Sequence, residues 1–227
     1  MINGDSANAF SPNFGPKYDF GRKMMITKDD IIKDEILKEA QKLFQQFGVK
    51  KTTMEDIAKA MGKGKSTLYY YYCSKEDIFD AVIQKEMGEV FHYVKHAVEK
   101  AETAEEKLKV FTLSKIKAVQ KRANLYKIVK GEVQDTMRCM KHLHAEYDIQ
   151  ETNLVKDILL FGIQNGEFAK EIKKDLDILP SVMVSSLRGL ERDLFTDTKY
   201  AKLESRMESI MGIMMRGLKT VHYQAAH

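Results

Sequence analysis

The segment that decides the fold is TTMEDIAKAMGKGKSTLYYYYCSKEDIF, residues 52–79. Thr53 lies three residues before Asp56, which is the spacing of a capping box at a helix N-terminus. Apolar residues recur at threes and fours until Gly62, and a second short helix is predicted over Lys65–Tyr72. Two short helices joined by a glycine turn form a helix-turn-helix, a motif that places its second helix in the major groove of DNA.

The second helix contains four consecutive tyrosines, which cannot all be buried. Each residue of an α-helix turns by about 100°, so the four side chains point in four directions. If Leu68 faces the core, Tyr72 lies close to it, whereas Tyr69, Tyr70 and Tyr71 point elsewhere. Their hydroxyls can donate to phosphates and their rings can pack on sugars or thymine methyl groups. We therefore expect these tyrosines to contact DNA.

The rest of the sequence predicts an all-α protein, because it has only three prolines and is rich in good helix formers. A first helix is predicted between the cap Thr27 and Gly48, and Ser74 caps a fourth. The longer helices are predicted over Lys75–Lys100, Ala104–Arg122, Leu125–Met140, Ala145–Asn165, Ile178–Phe195 and Tyr200–Tyr223.

The net charge of +4 is concentrated at the front of the chain. Residues 1–75 contain 13 Lys or Arg against 9 Asp or Glu, whereas residues 76–227 contain 24 of each. This asymmetry favours an N-terminal module that binds an anion such as DNA, although a solvated surface would explain it equally well.

Several other classes are disfavoured by the sequence. No apolar run of 18 residues and no signal peptide are evident, so we expect a cytoplasmic protein with no membrane contact. Cys73 and Cys139 lack metal-ligand spacing, and His142 and His144 diverge on a helix, so no metal site is expected. No catalytic motif is found, and we expect neither enzymatic activity nor a cofactor.

The stretch FQQFGVKKTTMEDIAKAMGKGKSTLYYYYCSKEDIF, residues 44–79, resembles the DNA-binding domain of the tetracycline-repressor (TetR) family of bacterial regulators. The likeness is carried by the TT pair, the DIA core, the glycine turn, the aromatic helix and SKE. The segment GIQNGEF at 162–168 is also similar to the family. The resemblance implies a three-helix helix-turn-helix domain followed by a C-terminal helical ligand-binding and dimerisation domain. We expect an N-terminal flexible extension over 1–25, the DNA-binding domain over 26–75 and the C-terminal domain over 76–227. The native start could be Met1 or the pair Met24 and Met25.

The resemblance also implies roles for individual residues of the DNA-binding domain. Phosphate contacts are implied for Thr53, Thr67, Tyr71 and Lys75, and groove contacts for Lys65, Ser66, Tyr69 and Tyr70. Thr53 would cap a helix even in a protein that never meets DNA. Lys63, Gly64 and Ser66 depart from the usual family residues, so base preference does not carry over.

Two further sites are expected in the C-terminal domain. Apolar stripes at helical spacing indicate a dimer interface through Met183, Ser186, Leu190, Leu203, Met207, Ile210 and Met214, with an intrachain core as the alternative. The resemblance implies an effector pocket, for which the candidate residues are Phe111, Tyr126, Met137, Met140 and Phe161, with ordinary core packing as the alternative.

The sequence therefore favours a dimeric transcriptional regulator whose partners are double-stranded DNA, a second copy of the chain and a small-molecule effector. The expected action is repression, ended when the effector releases the protein from a palindromic operator. The alternative is an architectural DNA-binding protein that needs no effector.

Overall fold

The computed structural model describes residues 27–121, 137–196 and 203–219, with side chains over 27–118, 147–191 and 206–219. Its described part is all-α, as predicted, and has no strand. The helices are α1 (Lys28–Phe47), α2 (Met54–Ala60), α3 (Lys65–Tyr71), α4 (Lys75–Glu99), α5 (Ala104–Lys121), α6 (Met137–Gln164), α7 (Leu179–Thr196) and α8 (Leu203–Leu218), with a 3-10 helix at Lys170–Asp175. No helix within these ranges is long and apolar enough to cross a membrane.

The predicted capping residues Thr27, Thr53 and Ser74 lie at the N-termini of α1, α2 and α4. Thr27 accepts a hydrogen bond from the backbone N–H of Asp30 at 3.1 Å, and the Asp30 carboxylate accepts from the backbone N–H of Thr27 at 3.0 Å. Gly48 follows α1 with a φ of 85°, a conformation that a residue with a Cβ adopts only at a cost. The chain therefore leaves α1 sharply and turns into α2.

The first four helices share one buried cluster, here called the N-terminal core. Its members are Ile36, Ala40, Phe44, Ile57, Ala58, Leu68, Ile78, Phe79, Val82 and Ile83. The rings of Phe44 and Phe79 meet edge to face with 5.5 Å between centroids, a favourable aromatic geometry. This core fixes α3 against α1, α2 and the first half of α4.

The second half of α4 belongs to another cluster, the C-terminal core. Val94 and Val98 pack there with buried residues of α5, α6, α7 and α8. The 25 residues of α4, about 37 Å long at the usual helical rise, therefore enter both cores. The predicted domain boundary after residue 75 falls at the start of this shared helix and stays a prediction.

The structure corrects one predicted helix boundary. We expected separate helices over Leu125–Met140 and Ala145–Asn165, but α6 runs without interruption from Met137 to Gln164. Residues 141–144 contain neither Gly nor Pro, so nothing in them prevents the helix from continuing. The predicted extension over 1–25, including both candidate start sites, lies outside the described residues.

Candidate nucleic-acid interface

Helix α3 presents two of its tyrosines to solvent. Leu68 is fully buried, whereas Tyr69 is 53% and Tyr70 is 76% exposed. Tyr72 lies just beyond the end of the helix in an extended conformation, yet it packs on the N-terminal core as predicted. Burial raises the pKa of its phenol. The prediction is confirmed for Tyr69, Tyr70 and Tyr72, but it is wrong for Tyr71, which was expected to point away and also packs on the N-terminal core.

Tyr71 is only partly exposed and has a partner within the chain. Its hydroxyl donates to Asp29 Oδ1 at 2.8 Å, a contact between α3 and the first turn of α1. This hydrogen bond disfavours the phenolate and raises the pKa of Tyr71 to about 12. The ring also meets that of Tyr70 edge to face, with centroids 4.9 Å apart. A phosphate bound by this hydroxyl would have to replace Asp29.

Lys65 begins α3 and extends towards α2. Its ammonium lies 2.6 Å from Glu55 Oε2, and both side chains are exposed. The hydrogen bond and charge of Glu55 raise the pKa of Lys65, so the lysine is cationic at neutral pH. Ser66 is exposed and Thr67 is partly buried in the same turn. The first turn of α3 therefore offers a cation and a hydroxyl beside the two exposed phenols.

Lys75 makes contacts that sequence reasoning missed. Its ammonium donates to the backbone oxygens of Val49 at 2.8 Å, Lys50 at 3.1 Å and Thr52 at 3.0 Å. These bonds tie the start of α4 to the loop between α1 and α2. No local pattern indicates them, because the acceptors are 23 to 26 residues away in sequence. The phosphate role implied for Lys75 stays a prediction.

Thr53 caps α2, as the spacing to Asp56 predicted. It accepts from the backbone N–H of Asp56 at 3.2 Å, while its hydroxyl and backbone N–H both donate to the Asp56 carboxylate, at 2.7 and 2.9 Å. The two bonds to the carboxylate lower the pKa of Asp56. Because both donors of Thr53 are used in this way, a phosphate bound by Thr53 would have to replace the Asp56 carboxylate.

The surroundings of these residues are basic. The side chains of Lys50, Lys51, Lys59 and Lys63 are all exposed on or beside α2 and the turn before α3. Lys63, which departs from the family pattern, directs its charge to solvent in this way. Exposed phenols beside several lysines match the chemistry of a DNA backbone and groove edge.

The candidate effector residues are only partly described. Phe111 is buried and Phe161 partly buried, and both pack in the C-terminal core. Tyr126 lies outside the described residues, as do the side chains of Met137 and Met140. No group of three metal-binding side chains comes together among the described residues.

The predicted dimer residues differ in exposure. On α7, Met183 and Leu190 are partly buried and Ser186 is exposed. On α8, Ile210 is partly buried and Met214 is 47% exposed, while the side chain of Leu203 lies outside the description. Met207 is 2% exposed and packs in the chain's own core, which is the alternative that the sequence left open.

Three exposed apolar residues near these were missed by the sequence analysis. Ile178, just before α7, and Val182 on it are 60% and 52% exposed, and Ile213 on α8 is 59% exposed. Their helical spacing could have identified them, since Ile178 and Val182 are four residues apart. The predicted stripe instead included Met183, Met207 and Ile210, which pack in or against the C-terminal core.

The family model described as bacterial regulatory proteins of the tetR family matches residues 36–82. The chain is 26% identical over 144 residues to the fatty acid metabolism regulator protein of Bacillus subtilis, a match that covers 63% of this chain and 72% of that protein. It is 27% identical over 150 residues to the HTH-type transcriptional repressor KstR2 of Mycolicibacterium smegmatis, covering 63% and 71%.

A solved structure resembles the whole fold. The crystal structure of a transcriptional regulator from Cytophaga hutchinsonii superimposes with a TM-score of 0.65 at 26% identity, covering 82% of this chain and 98% of that one. The matched segment 36–82 contains α2, α3 and the residues that pack them into the N-terminal core. Residues 36–82 therefore belong to the tetR family of bacterial regulatory proteins, and the chain is similar over most of its length to bacterial transcriptional regulators.

Proposed function

We propose that this protein is a dimeric transcriptional repressor that binds a palindromic operator through α3 and is released from it by a small-molecule effector. The observation that carries the proposal is the exposure of Tyr69 and Tyr70 beside Lys65, on a helix anchored by the fully buried Leu68. Phenols this exposed contribute little to the core, whereas they suit the edge of a DNA groove.

The dimer is proposed because one recognition helix contacts too few base pairs for tight binding. Helix-turn-helix proteins pair two such helices on half-sites about 34 Å apart, one turn of DNA. Apolar surface that a second copy could cover is exposed at Ile178, just before α7, and at Val182 on α7. It is also exposed at Ile213 and Met214 on α8. Two helices from each copy would form a four-helix interface with twofold symmetry.

Release by an effector is proposed from the shared helix α4. Because α4 enters both cores, a ligand that moves its second half also moves the DNA-binding domain. A change of a few ångströms in the separation of the two α3 helices would prevent both from fitting successive major grooves. The relative from Bacillus subtilis is named as a regulator of fatty acid metabolism, so fatty acids are the first effectors to test.

The deciding experiment selects bound sequences from random duplex DNA with the purified protein. We expect enrichment of one palindrome, bound about a thousandfold or more tightly than random DNA at physiological salt. Fatty acids of increasing chain length are then added to the complex, and release is followed by fluorescence anisotropy. Failure to enrich any sequence contradicts the DNA-binding proposal, whereas a palindrome that no added compound releases contradicts only fatty acids as effectors.

A further inference from the structure

Tyr147 joins α6 to the middle of α4. Its hydroxyl donates to the backbone oxygen of Gln84 at 2.8 Å. A backbone oxygen has two lone pairs, so it can accept this bond without losing its helical partner. Gly88 lies one turn further along α4, and a Cβ built there would be 3.2 Å from the tyrosine oxygen. The absence of a side chain at Gly88 therefore leaves room for the phenol.

The contact lies where α4 passes from one core to the other, over residues 84–88, here called the crossover segment. Val82 and Ile83 precede it in the N-terminal core, and Val94 follows it in the C-terminal core. On this segment Lys85 pairs with Asp34 of α1, and Glu86 accepts a hydrogen bond from Gln41 of α1. The crossover segment is thus bound to the DNA-binding domain by α1 and to the C-terminal domain by Tyr147.

The same turn of α6 is fixed at its other side by two ion pairs, one of which is buried. Asp148 pairs with Arg188 of α7. Glu151 Oε2 lies 2.6 Å from the ammonium of Lys115 on α5, and these two side chains are only 9% and 5% exposed. Removing one partner of the buried Lys115–Glu151 pair would cost several kcal/mol, so this pair holds the turn firmly. Residues 147–151 consequently connect α4 with α5 and α7.

We propose that Tyr147 is a positioning residue for DNA binding: it fixes the crossover segment of α4 against α6 and thereby sets the separation of the two recognition helices in the dimer. The inference rests on the proposed function, because separation matters only if two copies bind one operator. It adds the specific contact through which the C-terminal domain sets the position of α4. Since α7 is also a proposed dimer helix, the contacts run from the interface through Arg188 and Asp148 to Tyr147 and Gln84.

The test measures how strictly the protein requires one half-site spacing. Operators carrying the selected half-sites are lengthened or shortened by single base pairs, and the Kd of each is measured for the wild-type protein and for Tyr147→Phe. We expect Tyr147→Phe to flatten the preference for the best spacing by about threefold to tenfold, which corresponds to the loss of one hydrogen bond. A purely structural role would weaken binding at all spacings alike.

The matched control is Tyr93→Phe, which removes a hydroxyl from a tyrosine on α4 that is 55% exposed. This variant should keep the wild-type spacing preference. Gly88→Ala perturbs the same contact from α4, because its Cβ would lie 3.2 Å from the phenol oxygen, so the phenol must shift by a few tenths of an ångström. It should flatten the preference when Tyr147 is present, and should add nothing in a Tyr147→Phe background.

Amide hydrogen exchange provides a readout without DNA. We expect faster exchange over residues 84–90 in Tyr147→Phe than in the wild type or Tyr93→Phe, with α2 unchanged. If the wild type selects a palindrome with a strict spacing, and Tyr147→Phe matches it in spacing and exchange, the role of Tyr147 is refuted while the proposed function stands. If no palindrome is selected, the proposed function fails, and unchanged exchange would separately refute the positioning of α4 by Tyr147.

Discussion

Among individual residues, Lys75 is the clearest case in which the structure supplies a role that the sequence does not show. Its ammonium donates to three backbone oxygens of the loop between α1 and α2. We predict that Lys75→Met lowers the free energy of unfolding by about 2–3 kcal/mol, because hydrogen bonds to a charged donor are lost and partly buried acceptors remain. Urea denaturation followed by circular dichroism measures this change.

The control for Lys75 is the same substitution at the exposed Lys63. Lys63→Met should change stability by less than about 0.5 kcal/mol, as is usual for surface positions. Both variants remove one positive charge near the proposed DNA surface, so both can weaken DNA binding. Equal stability of the two variants would mean that the contacts of Lys75 contribute nothing.

Glu55 is a carboxylate on the proposed DNA-binding face, paired with Lys65 at 2.6 Å. We predict that Glu55→Gln tightens binding to random DNA, because it removes a negative charge and frees the ammonium for a phosphate. The salt dependence of log Kd should steepen by up to about 0.9, the value for one additional phosphate contact. Anisotropy titrations over a series of KCl concentrations measure both effects, and weaker binding to random DNA would contradict the prediction.

Sequence patterns predict which side chains of one helix are buried, but they do not predict contacts between residues far apart in the chain. Once Leu68 was placed in the core, the rotation of a helix was enough to predict that Tyr69 and Tyr70 are exposed. It could not predict that Tyr71 would donate to Asp29, which is 42 residues earlier. Such partners are set by how helices pack, and helical periodicity contains no information about that.

At the scale of elements, the end of α6 and the turn that follows it, residues 162–169, contact α5 and α8. Glu167 Oε2 accepts from the backbone N–H of Ala104 at 2.8 Å, at the start of α5, and Ala169 donates to Leu218 at the end of α8. A Cβ at Gly162 would lie 2.6 Å from Phe168 Cε2 and 2.8 Å from Ala104 Cβ. The backbone of α6 therefore approaches its neighbours at a distance that only glycine permits.

We predict that Gly162→Ala destabilises the fold by about 1–3 kcal/mol through overpacking, although alanine is the better helix former. Gly212→Ala on α8 is the control, because a Cβ there meets nothing within 4 Å. That control should be neutral or should stabilise by up to about 1 kcal/mol. Thermal unfolding of both variants tests the pair, and a stable Gly162→Ala would show that Phe168 can move aside.

The caps of α1 and α2 make the stability of these two helices depend on pH. Hydrogen bonds from Thr27 and Thr53 lower the pKa values of Asp30 and Asp56 below their ordinary value of 3.8. Their contribution to stability is therefore complete above about pH 4 and is lost as the pH falls through the lowered folded-state values. We predict that the α2 amides of the wild type lose protection against hydrogen exchange over that acidic range, measured relative to their intrinsic exchange rates at each pH. Asp56→Asn should lose much less protection.

Helix boundaries were predictable where the sequence contains a cap or a glycine. The starts of α1, α2 and α4 follow from Thr27, Thr53 and Ser74. The break expected before Ala145 had no such residue behind it, and α6 is continuous there. Local chemistry thus determines where helices begin and end, and apolar spacing alone does not.

At the scale of the whole molecule, α4 contributes residues to both described cores. The sequence predicted its length, but it could not tell that Ile83 and Val94 belong to different cores. That division depends on which helices pack on each half. The same limitation affected the dimer residues, since Met207 lies in the chain's own core and Val182 is exposed.

The exposed apolar surface of α7 and α8 leads to the last prediction. If the proposed dimer forms through this surface, Val182→Glu should convert it to a monomer, because twofold symmetry would place two new charges in one apolar interface. Sedimentation velocity measures the mass, and Ile31→Glu on α1, where the native side chain is 49% exposed, is the matched control that should remain dimeric. The monomer should keep its helical content and bind a single half-site weakly, but should lose most of its affinity for the palindrome, since the two sites no longer act together. A dimeric Val182→Glu would mean that another surface pairs the two copies, and the spacing of the operator half-sites would then have to be explained from that surface instead.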